Sequence, residues 1–180
     1  MKKYITPEHI TAEEIRLIRD ITGMTQKEFA EFLGVSKRTV ERWESSDDVI
    51  TGPITVLAEL LIKNNDLVQK LEVPEKKYRL RLYYMYHDFV CSILDVDEME
   101  RKVEVHNYIT NPIYRALGVN TEPTFEEYEE FLKSRCFPET RDMLKLELKK
   151  LDLPFYDPIM IIEKTNGRMA DDDFWIKIER

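Results

Sequence analysis

The stretch MTQKEFAEFLGVSKRTVERWE, residues 24–44, contains two short helical patterns separated by one glycine. Thr25 and Glu28 have the spacing of a capping box, which predicts the start of the first helix. Gly34 predicts the end of that helix, and Ser36 is a suitable N-cap for the next one. The stretch therefore predicts two helices joined by a tight turn, the arrangement of a helix-turn-helix.

The two predicted helices have different inward and outward residues. Apolar residues at helical spacing predict the inward face, namely Phe29, Ala30, Leu33, Val35, Val40 and Trp43. The outward positions of the second helix carry Lys37, Arg38, Glu41 and Arg42. Arg38 and Arg42 share one face, and an arginine in the major groove can donate two hydrogen bonds to guanine, worth roughly 1–3 kcal/mol of discrimination. The pattern predicts sequence-specific binding to double-stranded DNA, with Lys37, Arg38 and Arg42 as contacts.

Two alternatives concern these outward residues. Lys and Arg on the outside of a helix usually form a solvated face, and only the complete pattern around them favours DNA reading. Glu41 either accepts a hydrogen bond from cytosine N4 or belongs to the indifferent surface. Both alternatives for Glu41 stay open at this point.

The charge distribution limits the size of any nucleic-acid contact. The 180-residue chain has 27 basic and 35 acidic residues, a formal net charge of −8. Residues 1–45 are neutral, whereas residues 74–180 hold 17 basic and 22 acidic residues. A broad non-specific nucleic-acid surface requires a basic protein. The composition therefore excludes a broad non-specific nucleic-acid surface and is compatible with a local contact.

Residues 11–65 resemble the XRE family, the helix-turn-helix regulators of the lambda-repressor and Cro type, and residues 24–44 are close to the family pattern along their whole length. The resemblance implies that Gln26, at the start of the first helix, binds a DNA phosphate. It implies the same role for the hydroxyls of Ser36 and Thr39. It also implies a pair between Arg19 and Glu44, which we interpret as a structural ion pair.

Two domains are predicted, of which the first is an all-α helix-turn-helix domain over residues 1–72. Thr11 and Glu14 form another capping box, which predicts a preceding helix with an apolar stripe at Ile15, Leu17, Ile18 and Ile21. Pro53 predicts the first turn of a fourth helix or pair of helices.

The second predicted domain is α+β and covers residues 73–180. Alternating β-branched and aromatic residues predict strands at YRLRLYYMY, FVCSILDV, KVEVHNYI and FWIKIE. Helices are predicted to return after Pro112: after the capping box of Thr124 and Glu127, along ETRDMLKLELKKL (residues 139–151), and after the N-cap Asp157.

Other classes of protein receive little support from the sequence. Cys91 and Cys136 are too few for a disulfide framework, and we expect reduced thiols in a cytoplasmic protein. The three histidines lack zinc-site spacing, so neither a metal nor a cofactor is expected. No apolar run reaches the roughly 18 residues of a membrane span, and we expect neither a signal segment nor a membrane partner.

An enzymatic interpretation would use Cys136 as a nucleophile and the aspartates at 171–173 as metal ligands. Cysteine catalysis requires a positioned base, and no signature links a histidine to Cys136. We therefore predict that no residue is catalytic and that the chain is not an enzyme. Arg135, Arg141 and Arg168 lie beside helix ends or turns, among many aromatic residues. These residues either form a partner surface or belong to the packed core, and both interpretations stay open at this point.

The segment from HNYITNPIYRALGVN to GRMADDDFWIKI, residues 106–178, resembles a domain that accompanies HipA- and CtkA-type kinase toxins. The resemblance implies that residues 73–180 bind a partner kinase and that the chain is an autoregulating antitoxin. The kinase's own motifs are missing, which indicates a regulator. We expect a homodimer on the operator. The alternatives are a ligand-sensing or merely dimerising repressor, or an enzyme domain fused to a DNA-binding head.

Overall fold

The computed structural model describes residues 4–64 and 66–180, and the chain divides between Glu72 and Val73 into two compact units. The first unit is helical. Its helices are α1 (Ala12–Thr22), α2 (Gln26–Leu33), α3 (Lys37–Ser45), α4 (Pro53–Lys63) and α5 (Leu67–Leu71). The predicted all-α fold of this part is confirmed.

The first helices begin where local hydrogen bonds satisfy their free backbone N–H groups. Thr11 accepts from the N–H of Glu14, and Thr25 accepts from the N–H of Glu28. In each box the glutamate carboxylate accepts in turn from the backbone N–H of the threonine. Such a cap contributes about 1 kcal/mol relative to alanine. Both predicted capping boxes are confirmed.

The core of the first unit joins α1–α4. Its fully enclosed side chains include Ile15, Ile18, Phe29, Val40 and Leu61. The stripe predicted on α1 is only half right, because Leu17 and Ile21 are 52% and 44% exposed. These two residues lie on the side of α1 that the core of this unit does not cover.

The second unit contains a four-stranded antiparallel sheet in the order β3-β2-β1-β4. The strands are β1 (Leu80–Tyr86), β2 (Phe89–Asp97), β3 (Lys102–Asn107) and β4 (Phe174–Glu179). The connection from β3 to β4 contains α6 (Phe125–Ser134), α7 (Leu144–Lys150) and α8 (Pro158–Thr165). The predicted α+β class is confirmed.

The two faces of this sheet have different chemistry. One face is apolar, with Leu82 opposite Leu94, and packs with α6 and α8 in the core of the unit. On the other face Arg81 and Asp95 form a buried bidentate ion pair, with N–O distances of 2.6 and 2.7 Å. The hydrogen bonds to Asp95 raise the pKa of Arg81 despite its burial. The two hydrogen bonds of the pair offset the free energy of removing both charges from water.

One predicted helix is shorter than the sequence suggests. Helices return after Pro112, as predicted, with a 3₁₀ turn at Pro112–Tyr114 and α-helices from Phe125 onward. The helix predicted along residues 139–151 begins only at Leu144, because Met143 has a left-handed backbone with φ 61°. That conformation is costly for a side-chain-bearing residue and interrupts the helical hydrogen bonds.

Arg135 belongs to the packed interior of the second unit, which decides between its two interpretations. The side chain is 7% exposed and forms a bidentate pair with Asp172, at 2.7 and 3.0 Å. It also donates to the carbonyl oxygens of Gly167 and Phe174. Arg135 therefore ties the end of α6 to the start of β4.

Both cysteines are enclosed in the core of the second unit. Cys136 is 5% exposed, and burial raises its pKa to about 12. Burial also raises the pKa of Cys91. Because the thiolate is the reactive form, both side chains are poor nucleophiles in the folded protein.

None of the helices in the described parts of the chain is both long and apolar enough to cross a membrane.

Candidate nucleic-acid interface

The turn between α2 and α3 is closed by a glycine cap. Gly34 has φ 66°, the left-handed conformation that ends a helix, and its N–H donates to the carbonyl of Glu31 at 3.1 Å. The N–H of Val35 donates to the carbonyl of Ala30 at 2.9 Å. These paired bonds form the C-cap motif that directs the chain sharply away from a helix. Only Val35 and Ser36 remain between this cap and α3.

Ser36 begins α3, as predicted. Its hydroxyl accepts from the N–H of Thr39 at 3.2 Å and lies 2.9 Å from the Thr39 hydroxyl. The two hydroxyls are thus held together beside the first turn of the helix. A hydroxyl can donate one hydrogen bond and accept others, so the pair retains the capacity to bind a phosphate oxygen.

The outward face of α3 carries the predicted DNA contacts. Lys37, Arg38 and Arg42 are all exposed. Lys37 forms an i,i+4 ion pair with the exposed Glu41 at 3.0 Å. Such a pair between exposed side chains is weak and is easily exchanged for another partner. The face therefore presents three cations and one carboxylate to solvent.

The inward face of α3 is fixed by packing and by one carboxylate. Val40 is completely buried, and Trp43 packs against the same core. The side chain of Glu44 is 8% exposed and accepts from Arg19 Nε at 2.7 Å. This ion pair joins the end of α3 to α1.

Gln26 makes a hydrogen bond inside the unit that sequence spacing does not predict. Its Nε2 donates to the second carboxylate oxygen of Glu44 at 2.8 Å. The half-buried amide retains another N–H and its carbonyl oxygen for a further partner. Arg16 adds a bond to the backbone carbonyl of Glu44, a contact that sequence spacing does not reveal.

The electrostatics of this cluster follow from its geometry. Burial acts to raise the pKa of Glu44, but hydrogen bonds from Arg19 and Gln26 outweigh it and hold the pKa below its usual range. The hydrogen bond to Glu44 raises the pKa of Arg19. Both groups therefore stay charged at neutral pH and connect α1, α2 and α3.

The predicted residues fall into two groups in the structure. Ser36, Lys37, Arg38, Thr39 and Arg42 lie together on or beside α3. Arg19, Gln26 and Glu44 lie behind them in one hydrogen-bonded cluster. The first group is available to an external ligand, and the second holds α3 in place.

A helix-turn-helix family model of the XRE type matches residues 15–55. The chain carries a DNA-binding helix-turn-helix. The match covers the helix-turn-helix and its flanking turns and supports a DNA-binding transcription regulator. Comparison with curated proteins and with solved structures found no significant match. Nothing in these comparisons covers residues 73–180, so their resemblance to a domain beside kinase toxins stays a prediction.

Proposed function

We propose that the chain is a sequence-specific transcriptional repressor that reads operator DNA with α3 in the major groove. The observation that carries the proposal is the two-sided character of this helix. Three cationic side chains point outward, while Val40 and Glu44 fix the opposite side. A recognition helix needs both properties, because base reading depends on a fixed angle of entry into the groove.

The order of the side chains along α3 supports separate roles. Arg38 and Arg42 are one turn apart on an exposed face, which suits two bidentate contacts to guanines. Ser36 and Thr39 stand at the helix start, where hydroxyls and backbone N–H groups can bind phosphate oxygens. Lys37 lies beside them and adds a phosphate contact once DNA replaces Glu41 as its partner.

Gln26 retains the phosphate-binding role that the family resemblance implies. It occupies the first position of α2, where backbone N–H groups are unpaired within the helix. Its bond to Glu44 orients the side chain in advance, and the remaining N–H can then donate to a phosphate. Orientation by such a second partner reduces the entropy lost on binding.

The repressor acts as a homodimer on an inverted repeat in this proposal. A single small DNA-binding module buries only about 600–1,000 Å² on DNA, which supports modest affinity. Two copies related by a two-fold axis double the contacts and match a palindromic operator.

The chain is further proposed to be the antitoxin of a HipA- or CtkA-type kinase, with residues 73–180 as the partner-binding part and no catalytic role of its own. Support comes from the sequence resemblance of this region. The measurement is co-purification of the chain with the product of an adjacent kinase-like open reading frame, followed by a phosphorylation assay with and without the chain. A kinase that neither binds the chain nor loses activity in its presence contradicts the antitoxin role while leaving DNA binding untouched.

The DNA-reading role is tested with the DNA upstream of the chain's own gene. Replacing both outward arginines, Arg38→Ala with Arg42→Ala, removes the predicted base contacts. Each lost contact should reduce operator affinity by about 1–3 kcal/mol, with a much smaller loss on random DNA. Fluorescence anisotropy at low and moderate salt measures both affinities.

Lys63→Ala with Lys70→Ala is the matched control, because it removes two positive charges from α4 and α5 instead of α3. It should leave the preference for the operator unchanged. Wild-type protein that binds the upstream DNA no better than random DNA contradicts autoregulation. If the arginine variant loses the same affinity for the upstream DNA and for random DNA, α3 binds phosphates and does not read base edges.

A further inference from the structure

A groove on the surface of the second unit runs beside α7. Its volume is about 430 Å³, which is within the range of ligand-binding clefts. The residues that line it are Lys145, Leu148, Lys149, Asp152, Leu153 and Pro154. Leu148 and Leu153 belong to the core of the unit, and Pro154 is exposed. This α7 groove therefore has an apolar base and charged sides.

The two lysines of the α7 groove lack an acidic partner among the described residues. Lys145 and Lys149 are one turn apart on α7, so their side chains share one face of the helix. Both are exposed, and within residues 4–64 and 66–180 neither ammonium group makes an ion pair or a hydrogen bond. Lys150 on the same helix differs, because it pairs with Glu147 at 3.0 Å. The groove therefore offers two ammonium groups to an external ligand.

The charge around α7 is opposite to that of the second unit as a whole. Residues 141–150 hold four basic and two acidic residues, whereas residues 74–180 hold 17 basic and 22 acidic residues. Asp152 supplies the carboxylate of the groove, so the charged lining is positive overall. An anionic ligand is attracted to this site and repelled by the remaining surface of the unit.

Exposed apolar side chains occur close to the groove residues in the sequence. Met143, Leu146 and Phe155 are 73%, 53% and 59% exposed. Leu146 is between the two lysines in the sequence of α7, and Phe155 directly follows Pro154. Exposed apolar residues rimmed by charged ones are typical of protein interaction sites. The phosphates of a nucleic acid would pair with the lysines but leave these apolar side chains uncovered, so the combination favours a peptide.

We propose that the α7 groove binds an acidic peptide segment of a partner protein. A large apolar side chain of the peptide lies against Leu148, Leu153 and Pro154, and neighbouring carboxylates of the peptide pair with Lys145 and Lys149. The apolar contact contributes affinity, and the ion pairs contribute specificity for acidic sequences. This inference goes beyond the proposed DNA-binding function, and it depends neither on that function nor on the partner being a kinase.

The test is a selection of random dodecapeptides, displayed on phage, for binding to the immobilised full chain. The enriched peptides should combine Asp or Glu with Leu, Ile or Phe. An enriched sequence is then synthesised with a fluorescent label, and its affinity for the full chain is measured by anisotropy at low and moderate salt. Binding should be saturable and should weaken as the salt concentration rises, because the ion pairs are exposed to solvent.

Charge variants assign the binding to the groove. Lys145→Glu with Lys149→Glu should lower the affinity about tenfold, because two attractive ion pairs become repulsive. Asp152→Asn should raise the affinity several-fold, because it removes the opposing carboxylate, and asparagine tolerates the left-handed backbone found there, with φ 57°. Lys133→Glu with Lys164→Glu is the matched control, since it makes the same charge change at exposed positions of α6 and α8 outside the groove.

A proline variant tests the apolar contact independently of charge. Pro154→Ser should lower the affinity several-fold, whereas Pro138→Ser, at an exposed position outside the groove, should not change it. Both proline variants gain freedom in the unfolded chain and should unfold at a slightly lower temperature than the wild type. The lysine variants and Asp152→Asn should unfold at nearly the wild-type temperature, because the changed side chains are exposed. Affinities are compared at a temperature where every variant is folded.

The proposal is overturned if the selection yields no saturable binder, if the enriched peptides lack acidic residues, or if the Lys145 and Lys149 variant binds the peptide as well as the wild type does. Two further measurements address other occupants of the groove. A changed mass of this variant in sedimentation would assign the groove to a second copy of the chain. A greater loss of affinity for random DNA than in the Lys133 and Lys164 control would assign it to phosphates, and either result also overturns the proposal.

Discussion

Glu44 is the residue on which the geometry of the first unit depends most directly. It accepts from Arg19 on α1 and Gln26 on α2, and its side chain is 8% exposed. Glu44→Gln should reduce the free energy of unfolding by about 1–3 kcal/mol, because the amide loses a charge-assisted hydrogen bond. Denaturant unfolding measures the loss in a Trp175→Phe background, where Trp43 is the remaining fluorescent tryptophan.

The effect of Glu44 should depend on pH. Its pKa in the folded chain is lowered, since the hydrogen bonds outweigh burial, so the carboxylate stabilises the fold above its unfolded pKa of about 4.3. That contribution is lost as the pH falls through the folded pKa. The stability difference from Glu44→Gln should therefore shrink below about pH 4. A constant difference down to acid pH would contradict this account, and Glu31→Gln serves as an exposed control.

Glu41 has two interpretations that a single variant separates. It pairs with Lys37 at 3.0 Å, and both side chains are about half exposed. If Glu41 is indifferent surface, Glu41→Gln should strengthen binding to all DNA slightly and leave the salt dependence nearly unchanged, because it removes only a competing partner of Lys37. Weaker binding to the operator alone would instead assign Glu41 to cytosine recognition. Anisotropy titrations at several salt concentrations distinguish the two results.

At the level of elements, the turn between α2 and α3 depends on the backbone of Gly34. A Cβ at this position would meet nothing within 4 Å, so space does not restrict it. The restriction is the left-handed φ of 66°, which costs other residues roughly 1–2 kcal/mol. Gly34→Ala should destabilise the first unit by about 1 kcal/mol, and Gly34→Asn by less, because asparagine tolerates this conformation. Equal losses in the two variants would contradict the conformational cause.

Helix ends were predictable from sequence because their causes are local. The caps at Thr11, Thr25 and Thr124 bond to residues three positions away, so the motif contains its own partner. The exposure of Leu17 was not predictable, because periodicity identifies an apolar face without identifying what covers it. The same local reasoning located the helix-turn-helix and the outward cations of α3.

Contacts between distant residues escaped sequence reasoning. Arg135 meets Asp172, 37 residues later in the chain, and Gln26 meets Glu44 between two helices. Neither contact has a sequence spacing that distinguishes it from exposed polar residues. The consequence for the site is specific, since the sequence located the outward side chains of α3 but did not reveal the bond that orients Gln26.

For the whole molecule, the proposed dimer makes a geometric prediction about its operator. Two identical recognition helices reach the same side of DNA only when their half-sites are about 10–10.5 base pairs apart or a multiple of that distance. Inserting about five base pairs between the half-sites should abolish tight binding, and inserting about ten should partly restore it. Light scattering on the complex should give the mass of the DNA plus twice the 21.5 kDa of one chain. Binding that is insensitive to the insertion, with the mass of the DNA plus one chain, would exclude the dimer.

The two buried cysteines allow the opening of the second unit to be measured separately from that of the first. Both thiols lie in that unit and none occurs in the first, and the pKa of Cys136 is raised to about 12. An alkylating reagent can reach Cys136 only when the surrounding core opens. The rate of labelling of the intact chain therefore reports how often residues 73–180 open. Opening of residues 1–72 produces no labelling, because they contain no cysteine.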